Sequence, residues 1–289
     1  MTRWVEALAL LLLAWAVAVP MTTRFARARR PAHEPVAALL TWQAIGLCGG
    51  LAVLTAELTL AATGHAGPWR DAVRHVLAAP GSAGAIGVLG LVLFGLSVAW
   101  LIAVLIGSFV RAARSRREHR VLLELLSHPD RTADDHRFHV VESAAPLAYA
   151  LPGRTAHVVV TSAARTQLAD TELAAVLAHE QAHLRQRHSL LVQPFVAWER
   201  SLPGLAPARA ARRRVEELVE LVCDAAAVHA VGPEPLRAAL DTLLPPGPAR
   251  VERIGQVGRA ADPRQRALLL LAAVVLVVLP PAVLLALPA

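Results

Sequence analysis

His179-Glu180-Gln181-Ala182-His183 places two imidazoles and a carboxylate within five residues. On a helix, residues four apart share a face, so His179 and His183 can bind one metal ion together. Glu180 lies one residue round, near enough to act on water at that metal without ligating it. This is the H-E-x-x-H arrangement of zinc hydrolases, in which the glutamate is the general base.

The surroundings predict a helix. Asp170 or Thr171 can cap its start, and Leu173, Val176, Leu177 and Leu184 recur at helical spacing. Arg185 and Arg187 follow, where cations favour the helix dipole. A catalytic zinc needs a third protein ligand and one open position. The helix-like stretch Arg214–Val228 offers it, with Glu220 and Asp224 one turn apart on one face. Glu220 is the expected third ligand, with Glu216 and Glu217 as rivals. Asp224 is then the carboxylate that orients a ligand histidine through its other ring nitrogen.

His179–His183 followed by Glu220-Leu-Val-Cys-Asp224 resembles the H-E-x-x-H … E-x-x-A-D pattern of integral-membrane gluzincin peptidases. Those include the HtpX and CAAX prenyl protease group and the BlaR/MecR-type antirepressor peptidases. The stretch Pro152–His188, with His157–Thr161 and Glu172–His179, is more similar to the BlaR/MecR type. Cys223 stands where that pattern usually has alanine. The resemblance implies one Zn²⁺ per chain held by His179, His183 and Glu220, with Glu180 as the catalytic base. It also implies that a strand just before the catalytic helix, His157-Val158-Val159-Val160-Thr161, is the sheet edge on which a peptide substrate lies. His188 and His229 are the candidates for oxyanion or substrate contacts.

Composition says where this chemistry happens. The chain is 55% hydrophobic, with mean hydropathy +0.48. Four segments, about 4–19, 36–62, 83–110 and 267–287, have the length and apolarity of membrane spans, which need about twenty mostly apolar residues. The first is expected to be an uncleaved helix. Arg24, Arg27, Arg29 and Arg30 follow the first span, Arg111, Arg114, Arg116, Arg117 and Arg120 follow the third, and Arg259, Arg264 and Arg266 precede the fourth. The positive-inside rule therefore puts residues 111–266 in the cytoplasm of a bacterial-type cell and both termini outside. Within 111–266, 22 arginines face 18 acids, and the surplus sits beside the spans. That favours a lipid bilayer partner and argues against nucleic acid. Two scattered cysteines make no disulfide framework.

The expected fold is an α-helical membrane protein of about four transmembrane helices with an inserted α+β, gluzincin-like zinc peptidase domain. Residues 1–110 carry three spans, 111–266 the peptidase domain and 267–289 the fourth span. Within the insert, Arg111–Leu126 reads as a helix, His139–Val141 and His157–Thr161 as strands, and Pro152-Gly153 as the turn between them. Leu243–Pro248 reads as a stiff connection towards the last span. The expected function is a membrane-bound zinc metalloendopeptidase acting on a protein or peptide substrate, such as a cytoplasmic regulator or a membrane-associated protein. The alternatives are an HtpX-like quality-control protease and a non-catalytic zinc-binding signalling scaffold. No pattern in the chain sets an oligomeric state.

Overall fold

The computed structural model describes residues 3–28, 33–131, 137–152, 156–244, 252–258 and 262–286. The turn at Gly153 and the proline-rich stretch from Pro245 to Pro248 lie outside the described residues, as do Arg29, Arg30 and Arg259. Among the described residues, four helices are long and apolar enough to cross a membrane: Arg3–Arg27, Pro35–Ala61, Ala85–Ser115 and Pro263–Val283.

The first of these is α1 (Arg3–Ala16), a π-turn (Val17–Met21) and α2 (Thr22–Arg27) in unbroken succession. Pro20 has no N–H and would interrupt a regular helix. The wider turn absorbs it, and Thr22 and Thr23 donate from their hydroxyls to the Val17 and Val19 carbonyls at 2.8 and 2.7 Å. The helix thus continues beyond Val19 to the arginines.

α3 (Pro35–Ala61) is the central span. Half of its apolar window is buried, against 6% for α5 (Ala85–Leu126), whose large apolar side chains mostly face outward. α4 (Trp69–Ala78) lies in the intervening loop, its indole N–H donating to Thr59 at 2.9 Å. α3 and α5 touch closely at Gly90, where a Cβ would stand 2.4 Å from the Ala61 nitrogen. Small residues permit such approach between spans.

After α5 come β1 (Ser127–Arg131), β2 (Arg137–Val141), β3 (Ala148–Leu151), β4 (His157–Thr161), α6 (Ser162–Gln167), α7 (Asp170–Arg185), α8 (His188–Ser201), α9 (Ala206–Val231) and α10 (Pro233–Leu243). α11 (Pro263–Ala286) is the last span. The sheet order is β1-β2-β4-β3, with β2 and β4 parallel and the outer pairs antiparallel. A parallel pair needs a crossover, and β3 is part of it: the chain leaves β2, runs back along the far edge as β3, and returns between the two. This corrects the expected edge. His157–Thr161 is an interior strand, and Ala148–Leu151 is the edge.

One face of the sheet (Phe138, Val140, Val158, Val160) packs on Leu173, Val176 and Leu177 of α7. The largest core lies elsewhere. Trp42 of α3 is fully buried between Phe25, at 5.0 Å between ring centroids, and Phe195 of α8, at 6.2 Å. Val215, Leu218 and Val222 of α9 and Leu269 of α11 join the same cluster. Polar ties reinforce it. Gln43 donates to the Leu191 carbonyl at 2.8 Å, Thr41 to the Leu269 carbonyl at 3.0 Å, and Arg200 to Ser108 at 3.0 Å. α8 and α9 therefore share one core with the spans.

Truncating Trp42 should empty the centre of that core. We expect Trp42→Ala to lower the thermal unfolding midpoint in detergent, with a loss of about 3–5 kcal/mol. Trp100→Ala, on the outward face of α5, should change stability by less than about 0.5 kcal/mol. Equal effects would mean that the two tryptophans sit in equivalent surroundings.

Candidate active site

α7 starts at Ala169, whose N–H donates to the Glu172 carboxylate at 2.9 Å. Alanine offers no acceptor in return, so the cap is one-sided, and neither Asp170 nor Thr171 caps the helix. Leu173, Val176 and Leu177 anchor α7 on the sheet, while Ala175 packs towards α10. The next turn then carries His179, Glu180 and His183.

His179 Nε2 and His183 Nε2 lie 3.2 Å apart. Glu220 of α9 places Oε2 at 3.4 Å from the first and Oε1 at 3.4 Å from the second. Ligand atoms about 2.0–2.1 Å from a tetrahedral zinc stand about 3.3–3.4 Å from one another. The two imidazole nitrogens and the Glu220 carboxylate, one oxygen facing each ring, have about that spacing, and three such ligands would leave one coordination position open. Neither rival pairs with the two histidines: Glu217 pairs with Arg214 at 2.8 Å, and Glu216, which lines the cleft, lies 3.7 Å from Arg212.

Each imidazole is held from behind. His179 Nδ1 lies 3.0 Å from Asp224 Oδ1, so its N–H points at the carboxylate and its Nε2 lone pair at the other donors. Behind His183 stands His188, with Nδ1 to Nδ1 at 3.4 Å. His188 Nε2 is 2.8 Å from Gln186 Oε1, an atom that can only accept. The proton of His188 is therefore on Nε2, and its Nδ1 accepts from His183 Nδ1–H. The Cys223 thiol, 3.2 Å away, shares that acceptor. His188 reaches this place because Arg187, at φ 48°, turns the chain sharply between α7 and α8.

Arg253 completes the back of the site. It grips Asp224 with two bonds of 2.8 Å and reaches Glu220 Oε2 at 3.0 Å. It lies in a short helical turn past a proline-rich stretch, and no local spacing marks it among the many arginines.

The electrostatics follow from burial and these contacts. Burial works against a charge on His179, but Asp224 and Glu220 outweigh it and raise its pKa to about 9. Burial likewise opposes ionised Glu220 and Asp224. The histidines and Arg253 win for Glu220, as do Arg253 and His179 for Asp224, and both carboxyls stay below their usual range. Burial pushes Glu180 up, while His179 and His183 oppose the rise. His188 is pushed down to about 4 by burial and by His183, and so stays neutral. Burial and the nearby carboxylates drive the Cys223 thiol far up.

A cleft of about 540 Å³ opens over the site, within the usual size of ligand pockets. Its walls are β3 on one side and α8 and α9 on the other, with Glu180, His183 and Leu184 of α7 between them. The Thr161 N–H donates to the Leu147 carbonyl at 2.9 Å. By antiparallel alternation, Tyr149 and Leu151 also bond towards β4, while Ala148 and Ala150 turn their peptide groups to the free edge. The Ala150 N–H is directed at the Glu180 carboxylate. Of the two suggested oxyanion contacts, His188 lines the cleft and His229 does not. His188 is only 2% exposed and engaged with His183, and His229 is exposed on α9 and outside the cleft lining.

Residues 112–197 match the family model of peptidase family M48. The matched stretch holds His179, Glu180 and His183 and ends within α8, before Glu220. This similarity supports a metallopeptidase, and family M48 is zinc-dependent. No curated protein and no solved structure matches the chain.

The added proton on His179 and a zinc ion compete for the same Nε2 lone pair. Apparent zinc affinity should therefore fall as pH drops below about 9, by up to about tenfold per unit from this group. Above that value it should level off. Asp224→Asn should move the dependence to lower pH, and both Asp224→Asn and Arg253→Met should weaken binding by about 10–100-fold. Chelator competition measures all three. Unchanged affinity in both variants would show that the two residues do not orient the ligands.

Proposed function

We propose that this protein is a membrane-embedded zinc endopeptidase that hydrolyses peptide bonds in an extended stretch of a protein substrate. The observation that carries the reading is the convergence of His179, His183 and Glu220 to 3.2–3.4 Å, with Glu180 at the lip of a cleft beside a free sheet edge.

Those three side chains would hold the zinc, which supplies a Lewis acid for the scissile carbonyl and lowers the pKa of water. Glu180 takes a proton from the attacking water and returns it to the leaving amine. Its burial suits it to this, since a base that must also act as an acid works best with a raised pKa. The Ala148 and Ala150 peptide groups bind the substrate backbone as an added strand and set it beside Glu180. Asp224, Arg253 and His188 keep the imidazoles in the required tautomers.

The setting favours a membrane-associated substrate or a cytoplasmic regulator. The span ends bearing Arg24, Arg27 and Arg111 are those that meet α8 and α9, as the contacts of Arg214 with Ala28 and Arg200 with Ser108 show. Arginine at that end of the spans supports a cytoplasmic site with both termini outside. Of the two related types, the BlaR/MecR-like reading is preferred to an HtpX-like quality-control role on the Pro152–His188 similarity.

One observation favours a second reading, a closed and non-catalytic zinc site. Cys223 Sγ lies within 4.8 Å of a ring nitrogen of both His179 and His183. Its bond to His188 and the retained Glu180 speak for the open site. In the purified detergent-solubilised protein, Glu180→Gln should keep zinc and lose activity on casein by about 10²–10⁴-fold. Glu220→Ala should lose both. Cys223→Ala should keep both, and loss of zinc from that variant would establish the closed site instead.

A further inference from the structure

On the wall opposite β3, Gln193 of α8 lines the cleft, and its side-chain oxygen Oε1 is buried with no hydrogen-bond partner. A buried amide oxygen without a donor is costly and uncommon in native proteins. The side chains nearest the chemistry, Glu180, Glu216 and Glu220, present acceptors when ionised. The next residue along α8, Pro194, has no N–H to offer. Gln43, by contrast, spends its amide on the Leu191 carbonyl of the same helix.

A donor for this oxygen can arrive with whatever fills the cleft. We propose that Gln193 is a substrate-binding residue that accepts a main-chain N–H from the bound polypeptide, opposite the β3 edge. This rests on the reading of the cleft as a peptidase site. An extended chain turns successive peptide groups to opposite sides. Groups that meet Ala148 and Ala150 on one wall thus alternate with groups that face α8. One of the latter N–H groups satisfies Gln193, so the strand is clamped from both sides. The clamp carries its own selectivity: the residue that meets Gln193 cannot be proline, which has no N–H.

The test uses the full-length, zinc-loaded Glu180→Gln protein in detergent, which should bind peptide without cleaving it. The probe is a fluorescent casein peptide, together with a series in which each backbone N–H in turn is N-methylated. Adding Gln193→Leu should weaken binding of the parent peptide about tenfold, with zinc content unchanged. At one position N-methylation should weaken binding to the Gln193-bearing protein by a similar factor and have little further effect on the Gln193→Leu protein. Gln193→Met, unbranched and of similar volume, serves if leucine disturbs α8. Unchanged binding in both variants, or losses that multiply at every position, would overturn the role of Gln193. Failure of the zinc-loaded Glu180→Gln protein to bind any peptide would instead overturn the peptidase reading beneath it.

Discussion

The site depends on charge balance in a poorly hydrated place. Glu180, Glu220 and Asp224 gather beside two histidines, with Arg253 as the guanidinium that offsets them. Three carboxylates against one guanidinium leave two negative charges, and buried charge of one sign is expensive. A divalent cation cancels them. Without one, the nearest remedy is a proton on His179, which is why that imidazole titrates near 9. Metal and proton are alternative answers to one electrostatic demand, and the fold is built around that demand. Arg253 keeps the demand at two charges, so a divalent ion suits the site better than a monovalent one.

The same residues tie the site to the long apolar helices. α9 carries Glu220 and Asp224 on one face, while Leu218 and Val222 pack into the core with Trp42 and Phe195 on another. α8 begins with His188 behind a candidate ligand and ends near Arg200, which reaches Ser108 of the third span. Packed cores deform little. Movement among α3, α5 and α11 must therefore be taken up somewhere along α8 and α9, within a few residues of the three donors.

Local patterns and tertiary ones were not equally legible in the sequence. The spans were visible because twenty apolar residues in a row are a local signal, and α7 because His179 and His183 share its spacing with Leu173, Val176 and Leu177. β2 and β4 were visible as valine-rich runs. β3 was not: Ala148-Tyr-Ala-Leu151 has little β-branched character, and it is a strand because β4 and α7 hold it there. The resemblance implied β4 as the edge, but β3 pairs along its outer side and takes that place. The bonds of His188 to Gln186, His183 and Cys223 were not legible, because they converge only when Arg187 reverses the chain. Arg253 lay beyond any short-range rule, since its two carboxylates are roughly thirty residues away across a proline-rich segment.

Correcting the edge changes the chemistry as well as the topology. An interior strand has both sides of its backbone bonded and can offer a peptide nothing. Among the described residues no strand pairs on the outer side of β3, and the Ala150 N–H on that side bonds Glu180. A strand laid along β3 is therefore placed by the same backbone that touches the general base. In the proposed peptidase, one rigid element would set both substrate register and proton transfer. Alanine at 148 and 150 makes this possible, because small side chains leave the edge open towards α7. On the far wall, α8 and α9 are anchored in the core around Trp42, so the width of the cleft is set by how the spans pack against them.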